Sequence, residues 1–275
     1  MNEEIPPPAD PMPREAPTGR GVLLEVAYDG TAFHGWSAQV GARTVQETLH
    51  SALRAMDPHA SAVRGASRTD AGVHAEGQLA AFDSARNIPA RGWVLGLNKH
   101  LPDDVAVRTA RPVPPGFSPR FAARGKRYRY RMLVDRVRDP RWRTRAWRLP
   151  ELDLDALAGE AQAAVGTHDF ASFRASRDER TSTVRTLLRV DVECGADPRV
   201  VGVVVDGNAF LYNMVRILVG TMVDVARSRL ERGAVARALA ACDRRAAGTT
   251  APSHGLSLER VDVHLPEGTG ERWPL

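Results

Sequence analysis

Nine consecutive residues, Ser67-Arg68-Thr69-Asp70-Ala71-Gly72-Val73-His74-Ala75, concentrate the groups that could do chemistry in this 275-residue chain. Read locally, Asp70-Ala71-Gly72 is a turn, and an aspartate in a turn ordinarily bonds its own backbone. A carboxylate can also act as a nucleophile, forming a covalent adduct and leaving again. For that it must be ionised: burial pushes its pKa up and a nearby guanidinium pulls it down. Arg216 is the notable cation, standing among Met214, Val215, Ile217 and Leu218. Either its stem snorkels to the surface or it pairs with a carboxylate inside, and core-type neighbours on both sides favour the pair. Tyr128 and Tyr130 read as ordinary half-buried strand tyrosines. His74, two places after the turn glycine, reads as a satisfied hydrogen bonder rather than a catalyst.

The rest of the composition narrows the class. Hydrophobic residues make up 43% and charged residues 26%, as in globular proteins. No stretch approaches the roughly 18 apolar residues of a membrane span. The start carries Glu3, Glu4 and a run of prolines, with neither the charged nor the apolar region of a signal peptide. Cys194 and Cys242 lack metal-ligand spacing and are expected as buried reduced thiols. Together these features point to the cytoplasm. The net charge is +5, and only Lys99 and Lys126 among the 38 basic residues are lysines. Residues 120–148 hold eleven arginines and one lysine against Asp135 and Asp139, a local excess twice the charge of the whole chain. Such a density suits counterion release from phosphates, with a solvated charged face as the alternative.

The elements that must position these groups follow from periodicity and turn signals. Residues 1–20 read as a disordered, Pro-rich tail. Strands are expected at 22–28, 77–82, 105–110, 126–134, 185–193, 200–206 and 260–265. In the fourth, Tyr128, Tyr130 and Met132 share one face and Arg127, Arg129 and Arg131 the other. Thr44-Val45-Gln46-Glu47 reads as a capping box opening a helix to Met56. Further helices are expected at 93–101, 152–165, 211–230 and 234–241. Pro114-Pro115-Gly116 is the expected boundary between an N-terminal domain (21–114) and a C-terminal one (115–275). The expected fold is α+β: two domains of largely antiparallel sheet, helices packed on one side, and the active-site cleft between them.

Arg68-Thr69-Asp70-Ala71-Gly72-Val73-His74-Ala75 resembles the signature loop of the tRNA pseudouridine synthase A (TruA) family. The resemblance continues in order through Tyr28-Asp29-Gly30, Gly35-Trp36, Thr44-Val45-Gln46-Glu47, Arg120-Phe121 and Lys126-Arg127-Tyr128-Arg129-Tyr130. Beyond these come His168-Asp169-Phe170 with Phe173, Val184-Arg185-Thr186, Asn208-Ala209-Phe210, Met214-Val215-Arg216, Ala251-Pro252 and Gly255-Leu256. It departs at Ser67, where that family usually has Gly, at Ser37 in place of a Gln, and at Thr249 and Thr250 where a Lys is often found. The resemblance implies isomerisation of uridine to pseudouridine at tRNA positions 38 to 40, with Asp70 as nucleophile attacking either C1′ or C6. It implies that Arg216 pairs with Asp70 and that Tyr128 stacks on the uracil and helps move the C5 proton. Arg68 is expected to fill the space left by the extruded base, and Leu256 to pack against it. It further implies a homodimer that binds tRNA across both subunits, without metal or cofactor. Two other readings compete: an RNA-binding module without chemistry, and a metal-dependent nuclease or phosphatase using Asp70, Asp29 and His74.

Overall fold

The computed structural model describes residues 19–176, 178 and 181–265. Of the expected N-terminal tail, residues 1–18 lie outside these. Strands are β1 (Arg20–Tyr28), β2 (Arg64–Gly65), β3 (His74–Ser84), β4 (Val105–Val113), β5 (Ala123–Val134), β6 (Trp147–Leu149), β7 (Gly166–Asp169), β8 (Val184–Cys194), β9 (Val200–Gly207) and β10 (Leu256–Val263). Helices are α1 (Val45–Met56), α2 (Ala90–His100), α3 (Pro119–Ala122), α4 (Leu154–Ala163), α5 (Met214–Ala226) and α6 (Ala234–Ala241).

All ten strands join one sheet in the order β4-β1-β3-β10-β5-β9-β8-β7, with β2 on β3 and β6 on β5. Pairing is antiparallel except for β10 with β3 and β6 with β5. This is the mixed, mostly antiparallel α+β architecture expected from the sequence. Its organising feature is β10, the last strand in the chain, which lies between β3 of the first half and β5 of the second. The register sets Leu258 opposite both Ala75 and Tyr128, and Leu256 opposite Tyr130.

Patterning explains where the core sits. β9 is buried from Val200 to Val205, as a continuous apolar run in a central strand should be. β5 alternates, burying Tyr128, Tyr130 and Met132 while Arg127, Arg129 and Arg131 stay half-buried. α1 buries Val45, Leu49, Ala52 and Leu53 along one stripe. α1 packs on α2, which lies against β4; α4 lies against β8 and α5, and α6 touches both α4 and α5. Every residue of α5 except Arg216 is buried.

Four expectations change in detail. Thr44 occupies the N-cap position of α1, yet its side chain makes no capping bond and its hydroxyl is buried without a partner. The first helix amides bond instead to the carbonyls of Gly35 and Trp36 (3.2 and 3.0 Å), so loop backbone does what the capping box was expected to do. α5 is shorter than expected because Asn213 (φ 60°) and Ser228 (φ 55°), both left-handed, bracket it. β10 begins at Leu256 rather than Arg260, because the Ser-Leu alternation pairs with β5. Cys194 and Cys242 are exposed thiols, not buried ones, since one ends β8 and the other follows the last turn of α6.

Candidate active site

The 67–73 loop enters β3 and is fixed along its length by backbone partners. The Gln78 side chain clamps Ser67 from both sides, accepting from its N–H at 3.1 Å and donating to its carbonyl at 2.6 Å. The Thr69 carbonyl accepts from Trp36 N–H (3.1 Å), and the Thr69 hydroxyl pairs with Tyr28 at 2.7 Å. Gly35 (φ 94°) leaves no room for a side chain, since a Cβ there would lie 2.6 Å from the Thr69 carbonyl oxygen. Asp70 closes the turn by accepting from Val73 N–H (3.1 Å), and Gly72 N–H reaches Phe33 (3.2 Å). The Tyr28-Asp29-Gly30 and Gly35-Trp36 motifs thus hold the Asp70 loop in place.

His74 is structural, as its position suggested. Its Nδ1 accepts from Gly30 N–H at 3.0 Å, and its Nε2 faces the carbonyls of Thr144 (2.8 Å) and His254 (3.2 Å). Those partners fix the tautomer with hydrogen on Nε2. Burial pushes its pKa below the ordinary value and outweighs the pull of Asp29. Asp29 itself is engaged by Thr31 and, at 2.8 Å, by Arg145. Among the described residues, no three His, Cys, Asp or Glu side chains are close enough to share a metal ion.

A cavity of about 1050 Å³ opens over the loop and is lined by Asp70, Arg68, Tyr128 and Leu256. Arg216 does not line it but stands behind Asp70, its guanidinium 3.6 Å from the carboxylate, a charge contact longer than a hydrogen bond. Two further contacts aim it: Nε donates to the Ala251 carbonyl and a terminal nitrogen to Asn213 Oδ1, both at 2.8 Å. The 249–251 segment can lie so close to α5 because position 220 is glycine; a Cβ there would meet the Thr249 carbonyl oxygen at 1.9 Å. Burial pushes the Asp70 carboxyl above its ordinary pKa, and Arg216 pulls it back only in part.

The remaining expected residues take distinct places. Tyr128 is buried, its ring edge-on to Phe210 at 5.0 Å and its hydroxyl 3.0 Å from Ser67 Oγ. Leu256, at the start of β10, is buried and walls the same cavity. Arg68 is exposed at the rim, with no side-chain hydrogen bond or ion pair among the described residues. Tyr130 is wholly enclosed, donating to the Pro252 carbonyl at 2.8 Å. Cavity-lining residues not singled out for this site from sequence include Ser67, Lys126, Phe210 and Asn213. For Ser67 the departure from the family's glycine was the available signal, and for Lys126 its rarity in an arginine-rich chain.

The cavity thus brings a carboxylate backed by one guanidinium together with an aromatic ring and an aliphatic wall, an arrangement chemically able to take a planar ring against a carboxylate. Residues 25–122 and 161–262 match the family model described as tRNA pseudouridine synthase. Relatives named tRNA pseudouridine synthase A are similar over nearly their full length. The one from Geobacter sp. (strain M21) is 44% identical over 90% of this chain and 100% of its own. That of Myxococcus xanthus is 44% identical over 86% and 90%, and that of Thermoanaerobacter sp. (strain X514) 40% identical over 88% and 99%. Among solved structures, the chain aligns with one titled as the crystal structure of a Cbf5-Nop10-Gar1 complex, at 12% identity and a TM-score of 0.38, over 86% of this chain and 48% of that one. The chain belongs to the tRNA pseudouridine synthase A family, isomerases acting on uridine in tRNA. Among the described residues, no helix is long and apolar enough to cross a membrane.

Proposed function

We propose that the chain converts uridine to pseudouridine in the anticodon arm, at tRNA positions 38 to 40, with Asp70 as the nucleophile. The observation that carries this reading is the Asp70 carboxylate, 3.6 Å from Arg216, lining one cavity with Tyr128 and Leu256. A stacked uridine cannot reach such an enclosed carboxylate and is extruded from its helix. Asp70 attacks the nucleotide, the N1–C1′ bond breaks, the base turns and C5 bonds to C1′. Tyr128 stacks on the uracil and its oxygen takes part in removing the C5 proton. Leu256 packs against the base, and Arg68 occupies the space the base leaves. Arg216 supplies the positive charge that offsets the desolvation of Asp70.

The remaining assignments belong to the same reading. The protein is a cytoplasmic homodimer binding tRNA across both subunits, its halves 21–114 and 115–275 acting as domains on either side of the cleft. It works without metal or cofactor. The test is tritium release from tRNA carrying C5-labelled uridine, run beside a tRNA-binding isotherm. Asp70→Asn and Asp70→Ala are expected to lose turnover while keeping most of their tRNA affinity, because the basic surface is untouched. Residual turnover above roughly one per cent of wild type excludes Asp70 as nucleophile.

A further inference from the structure

The Ser67 hydroxyl is buried between two groups of the cavity wall. Lys126 Nζ donates to Ser67 Oγ at 3.1 Å and to the Ala66 carbonyl at 3.3 Å. On its other side Ser67 Oγ lies 3.0 Å from the Tyr128 hydroxyl. An ammonium can only donate, so it occupies an acceptor position on Ser67 Oγ and polarises the hydroxyl. The Ser67 hydroxyl can donate to the Tyr128 oxygen, and must do so when that oxygen is a phenolate, which can only accept. We propose that Ser67 is a positioning residue of this chain: it links the Lys126 ammonium to the Tyr128 oxygen and orients the phenolic group for removal of the C5 proton. In that step the C5–H bond breaks and its electron pair forms the C5–C6 double bond, while either the C6–N1 π electrons move onto N1, which takes a proton from solvent, or the Asp70 carboxylate leaves C6. The C5 proton passes to the Tyr128 oxygen, which enters the step as the phenolate after giving its own proton to solvent and leaves it as the phenol.

The proposal rests on the role given to Tyr128 above and adds to it a residue that acts by orienting the Tyr128 hydroxyl. Ser67 suits a clean test because its backbone is clamped by Gln78 through atoms that substitution leaves in place. The experiment measures single-turnover tritium release and tRNA dissociation constants for five enzymes: wild type, Ser67→Ala, Ser67→Thr, Tyr128→Phe and the Ser67→Ala/Tyr128→Phe double variant. Ser67→Ala is expected to slow the chemical step roughly ten-fold, the scale of one hydrogen bond to a charged group, with tRNA binding unchanged. On the Tyr128→Phe background the same change is expected to do nothing, because there is no hydroxyl left to orient. Ser67→Thr, which keeps the hydroxyl, is expected to restore the rate. Equal slowing on both backgrounds, or none on the Tyr128 background, overturns the proposal. A Tyr128→Phe enzyme as fast as wild type instead overturns the reading of Tyr128, and the proposal with it.

Discussion

The two faces of β5 put arginine to opposite uses. On one face Tyr128, Tyr130 and Met132 are buried and lead to the cavity, where Arg216 meets a single carboxylate at 3.6 Å. On the other, Arg127 holds Asp206 by two bonds of 2.7 Å, Arg129 holds Glu193 at 2.8 Å and also Glu259, and Arg131 reaches Glu76 at 2.9 Å. Arg189 and Arg260 extend this network, which sets five arginines against six carboxylates drawn from β3, β8, β9 and β10. Arg129 can cross β9 to reach β8 because Gly202 presents no side chain beneath it; a Cβ there would lie 3.2 Å from its guanidinium. Three arginines of the densest positive stretch therefore sit in a network with no net positive charge. One guanidinium beside one carboxylate at the cavity offsets part of its desolvation, whereas five shared among six carboxylates hold strands together.

The largest expected effect lies on the cavity side. Burial already holds the Asp70 carboxyl above its ordinary pKa, and Arg216 is the counterweight. Arg216→Met keeps much of the packing and removes the charge, so the pKa rises further and the ionised nucleophile becomes scarce near neutral pH. Single-turnover rates should be low at pH 7 and recover as pH rises, with Arg216→Lys intermediate because an ammonium lacks the planar two-point geometry. A pH–rate profile for Arg216→Met that overlays wild type from about pH 6 to 9 breaks the comparison, since Arg216 would then be no more than another structural cation.

Stability supplies the sharper contrast, because the two sides should respond with opposite signs. A carboxyl whose folded pKa exceeds its unfolded value makes ionisation destabilising above that folded value, and the cost vanishes below the unfolded one. Asp70→Asn removes the charge and should raise the melting temperature at pH 7, the gain fading as pH falls below the ordinary carboxylate range. Arg129→Gln leaves Glu259 and Glu193 short of a partner and should cost about 1 kcal/mol, a few degrees in melting temperature. Calorimetry at neutral and acidic pH measures both. A fall for Asp70→Asn would place the cavity pair among the stabilising ones.

Much of this was legible in the sequence, and what was not has a physical cause. Periodicity located most of the longer strands and the main helices, because alternation and a 3.6-residue stripe are local properties. The family resemblance of the nine-residue loop pointed to Asp70, and the same resemblance, with the apolar setting of Arg216, pointed to its partner. The short strands β2, β6 and β7 were missed, being pairings that only a neighbouring strand creates. The insertion of β10 between β3 and β5 was hidden for the same reason, and with it the juxtaposition of Leu256 and Tyr128. The Ser67–Lys126–Tyr128 chain depends on side chains separated by about sixty residues, and no local pattern announces it. Nor could the sequence say which arginines of the basic run are neutralised, because the carboxylates that hold Arg127, Arg129 and Arg131 come from four other strands.

The arginines of the basic run carry the smallest effect and the finest test. The excursion between β5 and β6 lies against the Asp70 loop, anchored where the Thr144 carbonyl meets His74 at 2.8 Å and Arg145 meets Asp29 at 2.8 Å. Within residues 120–148, Arg141 is held by Asp139 and Arg145 by Asp29. Arg120, Arg138 and Arg143 are exposed and make no ion pair among the described residues. A guanidinium already balanced by a carboxylate releases few counterions on meeting a phosphate, whereas an unbalanced one releases nearly a full equivalent. Replacing Arg120, Arg138 and Arg143 by Gln should therefore flatten the log–log dependence of tRNA affinity on salt, by up to about 0.9 for each phosphate no longer neutralised. Replacing Arg141 and Arg145 should leave that slope nearly unchanged. Binding isotherms for wild type and the two sets across a range of salt concentrations decide it. If both sets flatten the slope equally per arginine, pairing in the folded chain does not determine which charges meet RNA, and the distinction between the two uses of arginine fails at the surface.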